Sequence, residues 1–374
     1  EPDATSPNII GGYMGNSVAV DTIGATISGG GRDLAINQAN GDFSTVNGGA
    51  GNTAEGYSAY LGGGEGNLVG GNYAVICGGV SNQAGGNYSA IAGGQQNSVL
   101  GLYGIVGGGI NNQVTGTFGT VAGGANNGTF ANFTAISGGS YNRIYGEYST
   151  IAGGGPSDPD NPTTSNNQVW DDYGTIAGGG GNIAGNDDGD PQNNRGATVS
   201  GGLDNQSNGI YATIGGGEGN LASHYAAVVS GGASNQATEN YTTISGGSSN
   251  IVSGRYGTVG GGQNNITSGN YGTASGGNGN QVAAPFGTIP GGALNYVSGN
   301  YGFAAGYQAR AVHAGSFVWS DSQVGIFEST ASDQFLINAA GGIGIGTNTP
   351  TEQLTVIGNT ELNGNLNVAG YGTL

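Results

Sequence analysis

Apolar residues return every fifteen positions along most of this chain, in a unit best seen at Tyr148-Ser-Thr-Ile-Ala-Gly-Gly154 and Tyr241-Thr-Thr-Ile-Ser-Gly-Gly247. An aromatic column runs through Tyr73, Tyr88, Tyr103, Phe118, Phe133 and Tyr148, and resumes as Tyr211, Tyr241, Tyr256, Tyr271, Phe286 and Tyr301. Three residues further lies an aliphatic column, from Ile76 and Ile91 through Ile151 and Ile244 to Ile289. Asn follows nine residues after each aromatic slot, as in Asn82, Asn97, Asn142, Asn250 and Asn295, and a small or β-branched residue such as Ala84, Val99 or Val252 comes two later. Each unit thus holds two short stretches of alternating character, one around Ser-x-Ile/Val and one around Asn-x-Ala/Val, parted by Gly-rich corners.

Alternation of period two in such short stretches predicts strands, and Gly supplies the positive φ that tight corners demand. Helix is excluded by the 85 glycines, each costing about 1 kcal/mol relative to Ala in a helix. Collagen would need Gly at every third residue, and disorder would scatter the apolar residues out of register with the glycines. Stacking the units at about 4.8 Å lines every column up along one axis. The expected fold is all-β, a parallel β-roll or solenoid of fifteen-residue coils. About seventeen coils would give a rod on the order of 80 Å long.

The aliphatic column reads as core. The Asn column reads as a side-chain amide ladder or as a left-handed corner, a conformation Asn tolerates. The aromatic column reads as a seam between subunits, with contact to a sugar or protein as the competing role. A coil that points about three side chains inward buries little apolar area, so the coils are expected to pack against copies of themselves in closed cyclic association.

Charge removes several functions. Five Arg and no Lys against 23 acidic residues give a net charge of −18, which leaves no basic surface for nucleic acid or for an anionic membrane. Without Lys there is no Walker-A loop, Schiff-base chemistry or Ser-Lys pair. One cysteine, Cys77, allows no disulfide within the chain and no four-Cys zinc site. No apolar run is long enough to span a bilayer. The lack of a basic and apolar leader at Glu1 suggests a processed secreted product or a trimmed chain.

The pattern Gly-Gly-x-x-Asn-x-Ala-x-Gly-x-Tyr-Ser-x-Ile resembles the head repeats of trimeric autotransporter adhesins over roughly residues 40–310, and Asn8-Ile-Ile-Gly-Gly12 is similar to the start of such arrays. The resemblance implies a left-handed parallel β-roll assembled as a homotrimer. It also implies a chain located outside the cell or on its surface. The sequence departs from the family in having neither a heptad stalk nor a C-terminal membrane anchor, which suggests an excised head or part of a soluble fibre. Residues 306–341, with Phe317-Val-Trp319 and Gln334-Phe-Leu-Ile-Asn338, are expected to form a β cap. Gly342-Ile-Gly-Ile-Gly-Thr-Asn-Thr-Pro350 and Leu354-Thr-Val-Ile-Gly358 look like tail-fibre segments that precede a self-cleaving trimerisation chaperone, which would place Leu374 at a cleavage point. The chain therefore divides into a start at 1–40, a roll at 41–305, a cap at 306–341 and a tail-fibre-like segment at 342–374.

Two insertions break the roll, near 155–166 and 186–194. Insertions in solenoids emerge as surface loops, often on a working face. The first carries Asp158 and Asp160, and Trp170, Asp171 and Asp172 follow it; these five are the candidate partner-binding residues. The second carries Asp187, Asp188 and Asp190, the candidate ligands for calcium, which prefers clustered oxygens. Asp171 with Asp172, or Asp187 with Asp190, would be the carboxylate pair of a polysaccharide-degrading tailspike-like enzyme. His224 and His313 fall about six coils apart, roughly 29 Å, too far for one site. The slot two residues after the aromatic column forms a threonine rank from Thr120 to Thr288, of the kind an ice-binding solenoid would use, interrupted by Val75, Ala90, Ile105 and Ala135.

The reading that absorbs most of these features is a secreted, non-enzymatic structural or adhesive module, with no cofactor. It associates with itself as a trimer and with a surface glycan or protein receptor, without nucleic acid or membrane insertion. The alternative is a receptor-binding tail fibre on a phage or phage-like particle.

Overall fold

The computed structural model describes residues 6–322, 325–361 and 363. It is a parallel β-solenoid, and no helix occurs among the described residues. Each coil contributes one short strand to each of two ladders. The first, the Ile face, is built from strands such as Ala90–Ile91 and Thr243–Ile244. The second, the Asn face, is built from strands such as Gln83–Ala84 and Ile251–Val252. Pairing is parallel and in strict register: Ile91 faces Val106 and Ala84 faces Val99. Single bridges between Glu65, Val80, Gln95 and Ile110 continue the same stacking along a third edge.

The Ile face counts 21 strands, so its twenty intervals at about 4.8 Å span roughly 95 Å. This exceeds the length expected from the fifteen-residue units alone, because the ladder outlives the period at both ends. It begins at Ile9–Ile10, pairs across coils of irregular length, and runs on through Phe303–Gly306, Phe317–Ser320 and Phe335–Asn338. Backbone hydrogen bonding requires only that strands meet in register, whatever the length of the turn between them. The segment expected to cap the roll therefore carries its two ladders onward with longer strands. Beyond it, Ile343–Ile345 and Leu354–Val356 form a separate parallel pair. The expected cleavage point at Leu374 lies outside the described residues.

Five positions per coil point inward rather than three. In the coil from residue 82 to 91 these are Asn82, Ala84, Gly86, Ser89 and Ile91, all buried. The aliphatic columns are fully covered within one chain: Ile91, Val99, Ile151 and Ile244 are 0% exposed. Closure of the core thus does not wait for a second copy.

The Asn column is a ladder, and its members are not the left-handed corners. Asn250 Nδ2 donates to Gly246 O and Gly262 O, each at 3.0 Å, while Asn250 Oδ1 accepts the backbone N–H of Asn265 at 3.0 Å. One amide therefore closes its own corner and ties it to the next coil. Both insertions are bridged: Asn167 Nδ2 meets Asn142 Oδ1 at 3.1 Å, and the N–H of Asn205 donates to Asn182 Oδ1 at 3.1 Å. The left-handed conformation falls instead on the residue before most of these Asn, such as Gln96 and Asn111, and on the aromatic column itself.

The second glycine of each Gly-Gly pair is required twice over. Gly94 has φ +91°, and a Cβ there would lie 2.1 Å from Gly109 O, whereas a Cβ on Gly93 meets nothing within 4 Å. Left-handed backbone costs about 1–2 kcal/mol for a residue with a Cβ, and the clash adds about 1–3 kcal/mol.

Gly94→Ala is therefore expected to destabilise the surrounding coils by about 3 kcal/mol and Gly93→Ala by less than about 1 kcal/mol, read as local hydrogen-exchange protection. Asn250→Ala leaves the Gly246 carbonyl and the Asn265 N–H without partners, and Gly262 O with the Ser248 N–H alone. Its expected cost is about 3 kcal/mol, visible as lost protection at the Asn265 N–H.

Candidate functional site

The aromatic column forms a continuous exposed corner. Rings from Phe43 through Tyr57, Tyr73, Tyr88, Tyr103, Phe118, Phe133 and Tyr148 to Tyr173 touch in sequence, and the parallel-stacked members lie 4.9–5.2 Å apart between centroids. A second run extends from Tyr211 to Tyr301. The break falls at Gly196, which occupies the aromatic slot without a ring and over which Tyr211 leans. Each ring remains substantially exposed; Tyr88 shows 48% of its surface.

These side chains sit on strained backbone. Tyr88 has φ 57° and Tyr256 φ 59°, a conformation costing about 1–2 kcal/mol for a non-glycine residue. The Tyr88 N–H donates back to Asn72 O at 2.9 Å, which fixes the corner. Stacking returns about 0.5–1.5 kcal/mol per ring pair, so the column roughly offsets its own strain and adds little net stability to a lone rod.

Sequence reasoning passed over four rings of this corner. Tyr173 is displaced by the first insertion but keeps the local Tyr-Gly-Thr-Ile motif. Phe43 precedes the first clear repeats. Tyr57 and Tyr225 each stand one residue before the slot, which holds Ser58 or Ala226. They reach in edge-on, with interplanar angles of 62–87° to their neighbours. An aromatic adjacent to an empty slot is the signal that marks them.

A second, shorter stack was not foreseen. Phe130, Tyr145 and Trp170 stack at 5.0 and 4.2 Å on the neighbouring corner, so Trp170 is half-buried as the end ring of a stack. Burial raises the Tyr145 phenol above its ordinary value, opposed by Arg143 and assisted by Asp187. The second insertion therefore lies beside this stack.

The candidate residues divide by environment. Asp158 accepts from the Asp160 N–H at 2.9 Å and the Asn161 amide at 2.7 Å, and these donors, the Asn161 side chain first, hold its carboxyl below the usual range. Ser157 ties this loop to Asp204 through a 2.5 Å hydrogen bond. Asp187, Asp188 and Asp190 are exposed; Asp188 accepts from the Asp190 N–H at 3.1 Å and from the Asn193 amide. Asp171 and Asp172 are buried, at 1% and 7% exposure. Asp172 Oδ1 accepts the Glu147 N–H at 2.8 Å, the part that Asn72 and Asn87 play in other coils. Asp171 Oδ2 accepts the Asn186 N–H at 2.8 Å where the second loop leaves the roll, and its Oδ1 is buried without a partner. Loss of solvent, with Asp188, Asp172 and Asp190 adding repulsion, pushes the Asp171 carboxyl up to about 6.

The two loops attach at different corners, the first against Asp204 and the second against Asp171 and Asp172. Among the described residues no three His, Cys, Asp or Glu side chains converge at metal-ligand spacing. His224 and His313 each hydrogen-bond a serine, Ser223 and Ser329 respectively, at 3.1 Å. They stand in one column six coils apart, beside Gly209 and Gly299. The threonine rank faces outward on the Ile face and pairs directly where it is unbroken, as at Thr243↔Thr258 and Thr258↔Thr273. At the C-terminal end Phe303, Phe317 and Phe335 replace it, stacked at 4.6 Å.

No family model matches this chain, and no curated protein matches it.

With a folded-state value near 6, above the unfolded carboxylate value of about 3.9, native Asp171 binds more protons than unfolded Asp171 between those limits. Stability should therefore fall as pH rises from about 4 to 6 and level off above that. Asp171→Asn is expected to remove this slope and to stabilise the roll by on the order of 1–2 kcal/mol at pH 7.5. At pH 4 the two proteins should be alike, as read from denaturation midpoints at both pH values.

Proposed function

We propose that this chain is a secreted, elongated, non-enzymatic module of surface adhesion or fibre architecture, a left-handed roll that associates as a homotrimer through its aromatic corners. The observation that carries the reading is the exposed ring corner. Nine rings in unbroken contact from Phe43 to Tyr173 present a long apolar band, and contiguous apolar surface on that scale marks an interaction site. Because stacking only offsets the strain of the corner, single-chain stability does not account for the column. A seam between rods does, since it covers the outer ring edges that solvent otherwise meets.

Closed rotational association repeats one seam at every subunit pair and leaves no rod edge free to polymerise. Loops and unpaired surface on each subunit are then presented in three copies, and weak contacts combine through effective concentration. The long in-register ladders supply the stiffness such a role needs. Recognition in this scheme is by many weak contacts along a rigid body, and no cofactor takes part.

Light scattering of the purified chain should give three times 36.4 kDa, about 109 kDa. Tyr88→Asn, Tyr103→Asn and Phe118→Asn together keep a residue that tolerates the left-handed backbone while removing the rings, and should shift the mass to that of the monomer. A wild-type mass of 36.4 kDa at micromolar concentration rejects the seam.

A further inference from the structure

Near the C-terminal end of the Asn face the outer surface opens into a hollow of about 540 Å³, lined by Gln281, Leu294, Tyr296, Gln308, Arg310 and Ile326 among others. It arises from a change in coil length. Tyr296 pairs with Arg310 after fourteen residues, whereas Ala309 pairs with Phe327 after eighteen. Ile326, 56% exposed, forms one wall. Gln308 fastens that wall by accepting the Gly325 N–H on its Oε1 at 3.1 Å. The floor is the outward row Gln281, Tyr296 and Arg310, in direct register.

Arg310 is the unusual member of the hollow. Its guanidinium carbon lies 5.9 Å from the Tyr296 ring centroid, its Nε is buried without a hydrogen-bond partner, and the one ion pair among the described residues is Arg32–Glu65. Glu328 stands opposite Arg310 in the ladder but forms no ion pair with it. In a chain with 23 acidic residues and five Arg, a cation in a concave site that forms no ion pair, even with Glu328 opposite it in the ladder, is available to an incoming anion. A guanidinium presents a planar fork that fits a carboxylate bidentately. A single cation balances a monoanion and falls short of a phosphate dianion.

The surroundings narrow the class. Gln281, the free amide nitrogen of Gln308 and the Tyr296 hydroxyl offer donors and acceptors suited to vicinal hydroxyls, while Leu294 and Ile326 offer apolar walls to the C–H face of a pyranose. The volume lies within the range of small-ligand pockets. We infer that this hollow binds a carboxylate-bearing sugar, a uronate or a sialate, with Arg310 on the carboxylate and the amides on ring hydroxyls. The inference supplies a ligand for the adhesive reading and rests on that reading for its setting; the binding event itself requires only the single chain.

The test is saturation-transfer NMR and calorimetry on the full chain with galacturonate, N-acetylneuraminate, galactose and galacturonate methyl ester. At least one acid sugar is expected to bind saturably, with galactose and the methyl ester at least about tenfold weaker, the difference that one charge-assisted hydrogen-bond pair commands. Arg310→Gln should weaken the acid about tenfold with an unchanged circular dichroism spectrum, and Arg310→Lys, which keeps charge but loses the fork, should fall between. Glu328→Gln removes a neighbouring negative charge and should tighten binding about two- to threefold. Which acid binds distinguishes uronate from sialate. Absence of binding by either acid overturns the inference, as does equal binding of galactose or undiminished binding by Arg310→Gln. A monomeric chain that binds the acid would reject the trimer and leave the pocket standing; a trimer indifferent to both acids would do the reverse.

Discussion

The structure depends on one buried amide repeated along the rod. Each column Asn answers two glycine carbonyls, one in its own coil and one in the next, and its oxygen receives the following Asn N–H. The Gly carbonyl of its own coil and the N–H of the following Asn have no other partner, while the next coil's Gly carbonyl also accepts a backbone N–H, as Gly262 O does from Ser248. Left unpaired in the interior, each of those two would cost about 1–3 kcal/mol, on the scale of what burying one Val returns. The amide therefore removes the main polar cost of closing a fifteen-residue coil. It also explains why the coil can tolerate a polar residue at its centre: the polar group is shared between neighbours and fully used.

From that constraint the rest follows in order. The coil must present its Gly carbonyls to the amide, so the second Gly of each pair adopts positive φ against the backbone of the next coil. The opposite corner must turn equally sharply, and there the chain uses aromatic residues in the left-handed region rather than glycine. Glycine would carry no strain at those positions. Keeping Tyr or Phe there makes sense when the rings have work outside the coil, which is the physical ground for reading the corner as a seam. The insertions obey the same logic. The second leaves the roll where Asp171 accepts the Asn186 N–H, and the first closes on itself where the Ser157 N–H donates to Ser165 O.

Two of the acids show how a sequence motif can mislead about chemistry. Asp171 and Asp172 beside Trp170 read from sequence as an acidic, aromatic contact patch. In the fold they are buried stand-ins for Gly and Asn of the regular coil, and the Trp ring is spent on stacking against Tyr145. Arg310 shows the converse. One Arg in a stretch after the period ends carries no motif, yet the altered coil lengths place it on the floor of a hollow without an ion pair.

The repeat by itself determined the solenoid, the direction of stacking, the inward aliphatic and Asn columns and the outward rings, because a column in a stacked β structure is a sequence period laid along an axis. It could not determine how many inward positions close the core, since Gly86 looks like a corner residue until the turn brings it inside. Nor could it show that the ladder outlasts the period, because strand pairing responds to register and not to turn length. The environments of Asp171, Asp172 and Arg310 were decided by tertiary structure. Their partners Asn186, Glu147 and Tyr296 stand fourteen to twenty-five positions away, and no local pattern encodes distances of that kind.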